Sequence, residues 1–215
     1  MPIELTKELL ELAFDDLGRL SRERGLIAEI AVYGGACLLL ASDIRDVTRD
    51  VDSVFIAEPD FLYEAADRIA KLRNLPKDWL NQSVAFLVGS PGNTKPRIDL
   101  FGEYPRDQGL PGLRVFLPAP EYILAMKLIA SRRDDMDGAA RDQRDIAHLM
   151  QITKRRTSDA LMQLVKEFFP GVPGISNRVL AKIDDALKYE QENRVHVERR
   201  ATWNNQRSRG QSGIG

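Results

Sequence analysis

Every strand-like run in this chain falls before residue 118, and every later segment repeats its apolar residues at helical spacing. A sheet can therefore be built only from the first half, and the second half must pack as helices against it. The strand candidates are IAEIAVY (27–33), DVDSVFI (50–56), VAFLV (84–88), RIDLF (97–101) and LRVFL (113–117). Turn-rich GSPGNTKP separates the third from the fourth and predicts a hairpin between them. Leu9, Leu10, Leu12, Ala13, Leu17 and Leu20 predict a helix over 3–24, closed by Gly25. Glu58-Pro59-Asp60 announces another over 61–73. ACLLLA (36–41) is too short for its period to decide, but its place after a glycine pair suggests a helix N-terminus. A proline opens PAPEYILAMKLIASR, and 138–152, 158–169 and 176–193 are helical in period. The expected fold is α/β in the α+β sense. A small mixed sheet with flanking helices occupies 1–117, a C-terminal helical bundle packs on it over 118–195, and 196–215 forms a flexible basic tail.

Composition narrows the function classes. The 215 residues are 43% hydrophobic, enough for one domain core and little more. Lys and Arg total 31 against 32 Asp and Glu, a net charge of -1. That balance argues against a protein basic over its whole surface, but it leaves room for a local basic patch. The single cysteine, Cys37, excludes a disulfide framework and a cysteine zinc site. No apolar run reaches the roughly 18 residues of a membrane span, and MPIELTKELL lacks the layout of a signal peptide. A cytoplasmic protein without a membrane partner is the expectation. The tail carries Arg199, Arg200, Arg207 and Arg209 against Glu198 alone. It reads either as a frayed end or as a basic arm for a polynucleotide.

Four local features could carry chemistry. Asp50 and Asp52 are two apart in a strand, so their carboxylates leave one face about 6–7 Å apart. Such a pair suits Mg2+ shared with substrate phosphates, or else two exposed acids balanced by Arg45 and Arg49. Gly34-Gly35 between a strand and a helix start lets backbone approach a phosphate, or makes an ordinary turn. Asp99 points away from the face of Ile98 and Leu100. If its strand lay beside 50–56, it would complete a three-carboxylate cluster able to hold two divalent ions. Lys127 sits in the apolar run YILAMKLIA, where it must either reach the surface or face an anion. Asp142 and Asp145 share a helical stripe with Ile146 and Leu149, on or beside the inward face, although Arg141 and Asp145 are also spaced as an i,i+4 pair. Cys37 reads as a packed side chain, and His148 and His196 lie too far apart in sequence to suggest a histidine centre.

The order of these features is more telling than any one of them. Gly34-Gly35 followed by Arg45, Thr48, Asp50 and Asp52 resembles the GG…R-x-x-T-x-D-x-D motif of the nucleotidyltransferase superfamily with the minimal polymerase-β-like fold. PAPEYILAMKLIASRR followed by RDQRDIAHL is similar to the lysine and Arg-Asp-x-x-Asp motifs of its AbiEii-type toxin branch. The resemblance covers residues 27 to about 152. It implies Mg2+ (or Mn2+) held by Asp50, Asp52 and Asp99, and triphosphate held by the Gly34-Gly35 backbone. Lys127, with Arg132 nearby, would neutralise phosphate, Asp142 and Asp145 would orient groups around it, and Arg45 and Thr48 would shape the loop. The implied reaction moves a nucleoside monophosphate from an NTP to an acceptor hydroxyl, with a tRNA 3′ end as the acceptor and a cognate antitoxin as protein partner. Lys95, Arg97, Arg132, Arg133, Arg141, Arg144, Lys154, Arg155 and Arg156 are the candidate basic surface. The competing readings are an antitoxin of the same fold that adenylylates a partner protein, and a catalytically silent member that only binds nucleotide or a partner protein. Many superfamily members carry Gly-Ser where this chain has Gly35, so a serine contact to phosphate is missing.

Overall fold

In the computed structural model, which describes residues 4–130, 136–171, 177–200 and Trp203, the first helix starts where a side chain caps it. Thr6 Oγ1 accepts the Leu9 N–H at 3.3 Å, so the helix α1 (Lys7–Glu23) follows a two-residue strand β1 (Leu5–Thr6). Gly25, at φ +70°, then turns the chain out of the helix. Next come β2 (Ala28–Val32), α2 (Gly34–Ala41), β3 (Val47–Thr48) and β4 (Val51–Ala57). Pro59 begins α3 (Pro59–Arg73), although Glu58 makes no side-chain cap. The first half ends with β5 (Leu80–Asn81), α4 (Ala85–Gly89), β6 (Ile98–Tyr104) and β7 (Leu113–Pro118). Only helices follow among the described residues: α5 (Pro120–Ile129), α6 (Met136–Thr153), α7 (Ser158–Phe168) and α8 (Asn177–Arg200).

The mixed five-stranded sheet has the order β5-β4-β2-β7-β6, and β1 pairs with β3 apart from it. β2 runs antiparallel to β4 and parallel to β7, and β7 is antiparallel to β6. α1 packs on α3 and on the β6–β7 edge. Two glycines permit this: a Cβ on Gly112 would lie 2.0 Å from the Gly18 carbonyl oxygen, and one on Gly18 would lie 2.4 Å from the Tyr104 carbonyl. α5, buried from Tyr122 to Leu128, is the axis on which α6, α7 and α8 pack. Lys182 Nζ donates to the carbonyls of Lys127 and Ala130 and so caps its C-terminus. No helix among the described residues is long and apolar enough to cross a membrane.

The architecture agrees with the expected α/β core and helical second half, with two corrections. VAFLV is not a strand: residues 85–89 form α4, and no hairpin joins it to 97–101. The turn-rich stretch does other work. Ser90 Oγ donates to the Phe86 carbonyl at 2.6 Å and Asn93 Nδ2 to the Leu87 carbonyl at 2.9 Å, which satisfies the end of this short helix. β6 pairs instead with β7. The second correction concerns the tail, because α8 runs to Arg200 and buries Val197, so 196–200 are helical. The helix geometry does break at Asn193, where the sequence pattern ends, and then resumes. Trp203 packs against the core. The rest of the tail lies outside the described residues.

Candidate active site

The site is assembled around the end of β2. Tyr33 N–H donates to the Asp52 carbonyl at 2.8 Å, which fixes the start of α2 against β4. Gly34 follows at φ +61°, a conformation that L side chains rarely adopt. Its open side faces a carboxylate: a Cβ there would lie 2.6 Å from Asp52 Oδ2. At Gly35 a Cβ would lie 2.6 Å from Arg45 Nη1 and 2.9 Å from Thr48 Oγ1. The two glycines therefore hold the Asp52 carboxylate on one side and the Arg45 loop on the other. A side chain at position 35 would therefore crowd both Arg45 and Thr48.

A buried charge network joins the loop before β3 to the helical half. Lys127, 5% exposed, contacts Asp142 at 2.9 Å and Asp145 at 2.6 Å. Asp145 also takes Arg45 in a two-pronged contact, with Nη2 at 2.5 Å and Nε at 3.1 Å from its oxygens. The lysine thus neither reaches the surface nor lacks an anion, and the i,i+4 pairing of Arg141 with Asp145 gives way to longer-range partners. Burial alone would push the Asp145 carboxyl up, yet Lys127 and Arg45 together hold it below its usual 3.8. Burial works against the Arg45 charge too, and Asp145, with Asp142 and Asp50, raises its pKa nonetheless. Two cations, Lys127 and Arg45, are thus set against two anions, Asp142 and Asp145.

Gly34, Asp52, Ser83, Lys127 and Asp142 line one cavity of about 190 Å3, with Leu87 and Met126 among its apolar walls. Ser83 Oγ donates to Asp52 Oδ1 at 2.6 Å. Asp50 precedes β4, where Thr48 Oγ1 donates to its backbone carbonyl at 3.1 Å. Asp99 is not brought here. β2 and β7 stand between its strand and β4, three steps of about 4.8 Å or roughly 14 Å, and its carboxylate pairs with Arg97 at 2.9 Å. Among the described residues no three His, Cys, Asp or Glu side chains form a metal-binding group. Asp50 and Asp52 remain as hard oxygen donors, and of the two Asp52 lines the cavity. That donor set fits Mg2+ completed by substrate phosphates.

No family model, curated protein or solved structure matches the chain.

Gly34, Gly35, Arg45, Thr48, Asp52, Lys127, Asp142 and Asp145 lie together around this cavity and the adjoining charge cluster, and Asp50 precedes the strand that carries Asp52. Arg132 lies outside the described residues. Ser83 was missed, because it stood in a stretch read as the approach to a strand. Cys37 is fully buried and its thiol is pushed up by that burial, which leaves it a packing residue.

Proposed function

We propose that this protein is a Mg2+-dependent nucleotidyltransferase that moves a nucleoside monophosphate from an NTP to an acceptor hydroxyl and releases pyrophosphate. One observation carries the reading: five separate stretches of chain deliver Gly34, Asp52, Ser83, Lys127 and Asp142 to a single cavity. Its volume is below the roughly 300–1,000 Å3 of sites that enclose a drug-sized ligand. It suits a triphosphate, with the nucleoside held outside. Asp50 and Asp52 would hold Mg2+, which supplies charge neutralisation at the phosphate oxygens when bound. Lys127 has three N–H donors. Asp142 and Asp145 take two and fix its direction, and the third serves a phosphate oxygen in the cavity. The Gly34 backbone allows close approach of the chain to the triphosphate. Catalysis then rests on positioning and fixed charge, as the acceptor oxygen bonds to the α-phosphorus and the bond to pyrophosphate breaks.

The resemblance to AbiEii-type toxins supports RNA as acceptor, with a tRNA 3′ end foremost, a cognate antitoxin as partner, and the cytoplasm as compartment. Labelled NTPs, Mg2+ and total tRNA test this directly. Wild type transfers label to RNA and Asp52→Asn does not. No transfer by wild type, or equal transfer by the variant, overturns the reading. The remote place of Asp99 favours a second reading, nucleotide binding without turnover. Calorimetry that finds NTP binding while no RNA or protein acceptor is labelled would select it.

A further inference from the structure

Phe86 is the most exposed large apolar side chain among the described residues, at 87%. A single exposed apolar residue needs no explanation by itself, but this one stands at a particular place. It belongs to α4, and Val84, Leu87 and Val88 around it pack against the core while it does not. Ser83, Val84 and Leu87 also line the Asp52 cavity. The chain is already helical in this turn, because Ala85 N–H donates to the Gln82 carbonyl and Val88 N–H to the Val84 carbonyl, each at 3.0 Å. Ser83 and Phe86 are therefore an i,i+3 pair, whose Cβ atoms lie about 5–6 Å apart on one face. The Ser83 hydroxyl sits in the cavity on Asp52, so the Phe86 ring stands at the rim beside it.

The backbone that carries the ring is pinned. Ser90 Oγ donates to the Phe86 carbonyl and Asn93 Nδ2 to that of Leu87. The protein thus holds an aromatic face in water on a fixed turn, and forgoes the stabilisation that burying the ring would bring. A ligand that covers the ring recovers it. An NTP brings such a ligand to this place. A cavity of about 190 Å3 holds the triphosphate and leaves the nucleoside outside. The α-phosphate belongs beside Asp52, where the metal joins carboxylate to phosphate, and the base is one ribose away from it. That distance brings the base out at the rim, where Leu87 and Met126 are the apolar walls. Every nucleobase has a π-face that stacks on an aromatic ring.

We propose that the base of the NTP stacks on Phe86, which positions the nucleoside outside the phosphate cavity. The inference rests on the NTP reading of that cavity. Stacking tolerates any base, so the ring fixes the orientation of the nucleoside and does not select among the four.

Isothermal titration of the full chain with each of the four common NTPs, and with inorganic tripolyphosphate, all in Mg2+ at neutral pH, tests this. Phe86→Ala weakens NTP binding about tenfold, the change expected from one lost stack, and leaves tripolyphosphate binding unchanged. Phe86→Tyr keeps an aromatic face and retains the NTP affinity of wild type. Far-UV circular dichroism and melting of both variants report on folding. Unchanged affinity for every NTP in Phe86→Ala overturns the proposal, and so does an equal loss for tripolyphosphate, which would put the effect in the phosphate cavity. Loss of RNA affinity with NTP affinity unchanged places a base of the acceptor on the ring and overturns it too. Absence of NTP binding by wild type overturns it together with the reading it rests on. The transfer reaction fails separately: NTP binding that depends on Phe86 while no acceptor is labelled removes the transfer and keeps the stack.

Discussion

The contacts at Gly35 leave no room for a side chain: a Cβ there would lie 2.6 Å from Arg45 Nη1 and 2.9 Å from Thr48 Oγ1. Arg45 Nη1 is the far end of a flexible side chain, but Asp145 holds the same guanidinium through Nε and Nη2. It cannot yield to a Cβ at 2.6 Å without loosening that pair. Gly35→Ser should therefore destabilise the fold by about 1–3 kcal/mol, as overpacking does elsewhere, read as a lower urea midpoint. If the strain runs through Arg45, the effect shrinks in an Arg45→Ala background, because residues in contact are coupled. Additive losses in the double variant would place the strain elsewhere. At the same scale Lys127, Asp142 and Asp145 were legible in advance. A lone lysine in an apolar run and two acids on an inward helical stripe each need a partner, and each is the partner the other needs.

Element order decided where the sequence misled. Local pattern identifies a strand but not its neighbours in the sheet, so RIDLF was found correctly while its distance from β4 was not. The strand β6 reaches the sheet through β7, on the edge away from β4. It follows that Asp99→Asn should leave Mg2+-dependent label transfer within about twofold of wild type, small beside the tenfold that 1.4 kcal/mol represents, while Asp52→Asn abolishes it. Equal loss in both would mean that Asp99 reaches the site after all. The run at 84–88 failed for a different reason. Five apolar residues carry too little period to separate helix from strand, and side chains of the following turn cap them as a helix. That misreading also hid Ser83, whose contact with Asp52 depends on α4 lying beside the cavity. The long, strongly periodic helices and the central strands were readable, because their apolar faces bury against the core. The two-residue strands β1, β3 and β5 were not, since two residues hold no period.

Across the whole molecule, the α/β half and the helical half are joined through a buried charge cluster, and this makes stability depend on pH in two separate windows. Asp145 is 3% exposed, and its folded pKa lies below the usual 3.8. A carboxylate depressed in this way contributes stability that is fully present above its unfolded value and lost as pH falls through the folded one. His148 titrates higher. Burial lowers it from 6.5, against the Arg144 carbonyl and Asp145, which raise it, while Arg200 and Arg144 add to the lowering; Arg45, Asp46 and Arg141 share its cavity. The unfolded chain then takes up a proton before the folded one, so stability falls as pH drops below about 6.5. Asp145→Asn removes the anion shared by Lys127 and Arg45 and leaves buried positive charge, a loss of about 3–5 kcal/mol at pH 7. Below about pH 4 the unfolded chain takes up this proton first, and wild type gives up the same charge only as pH falls through the lower folded value, so the gap between the two proteins should narrow steadily below about pH 4. Denaturant unfolding of wild type and Asp145→Asn from pH 7 to pH 2.5 measures that gap directly. A gap that stays constant over the whole range would mean that the Asp145 charge does not join the two halves.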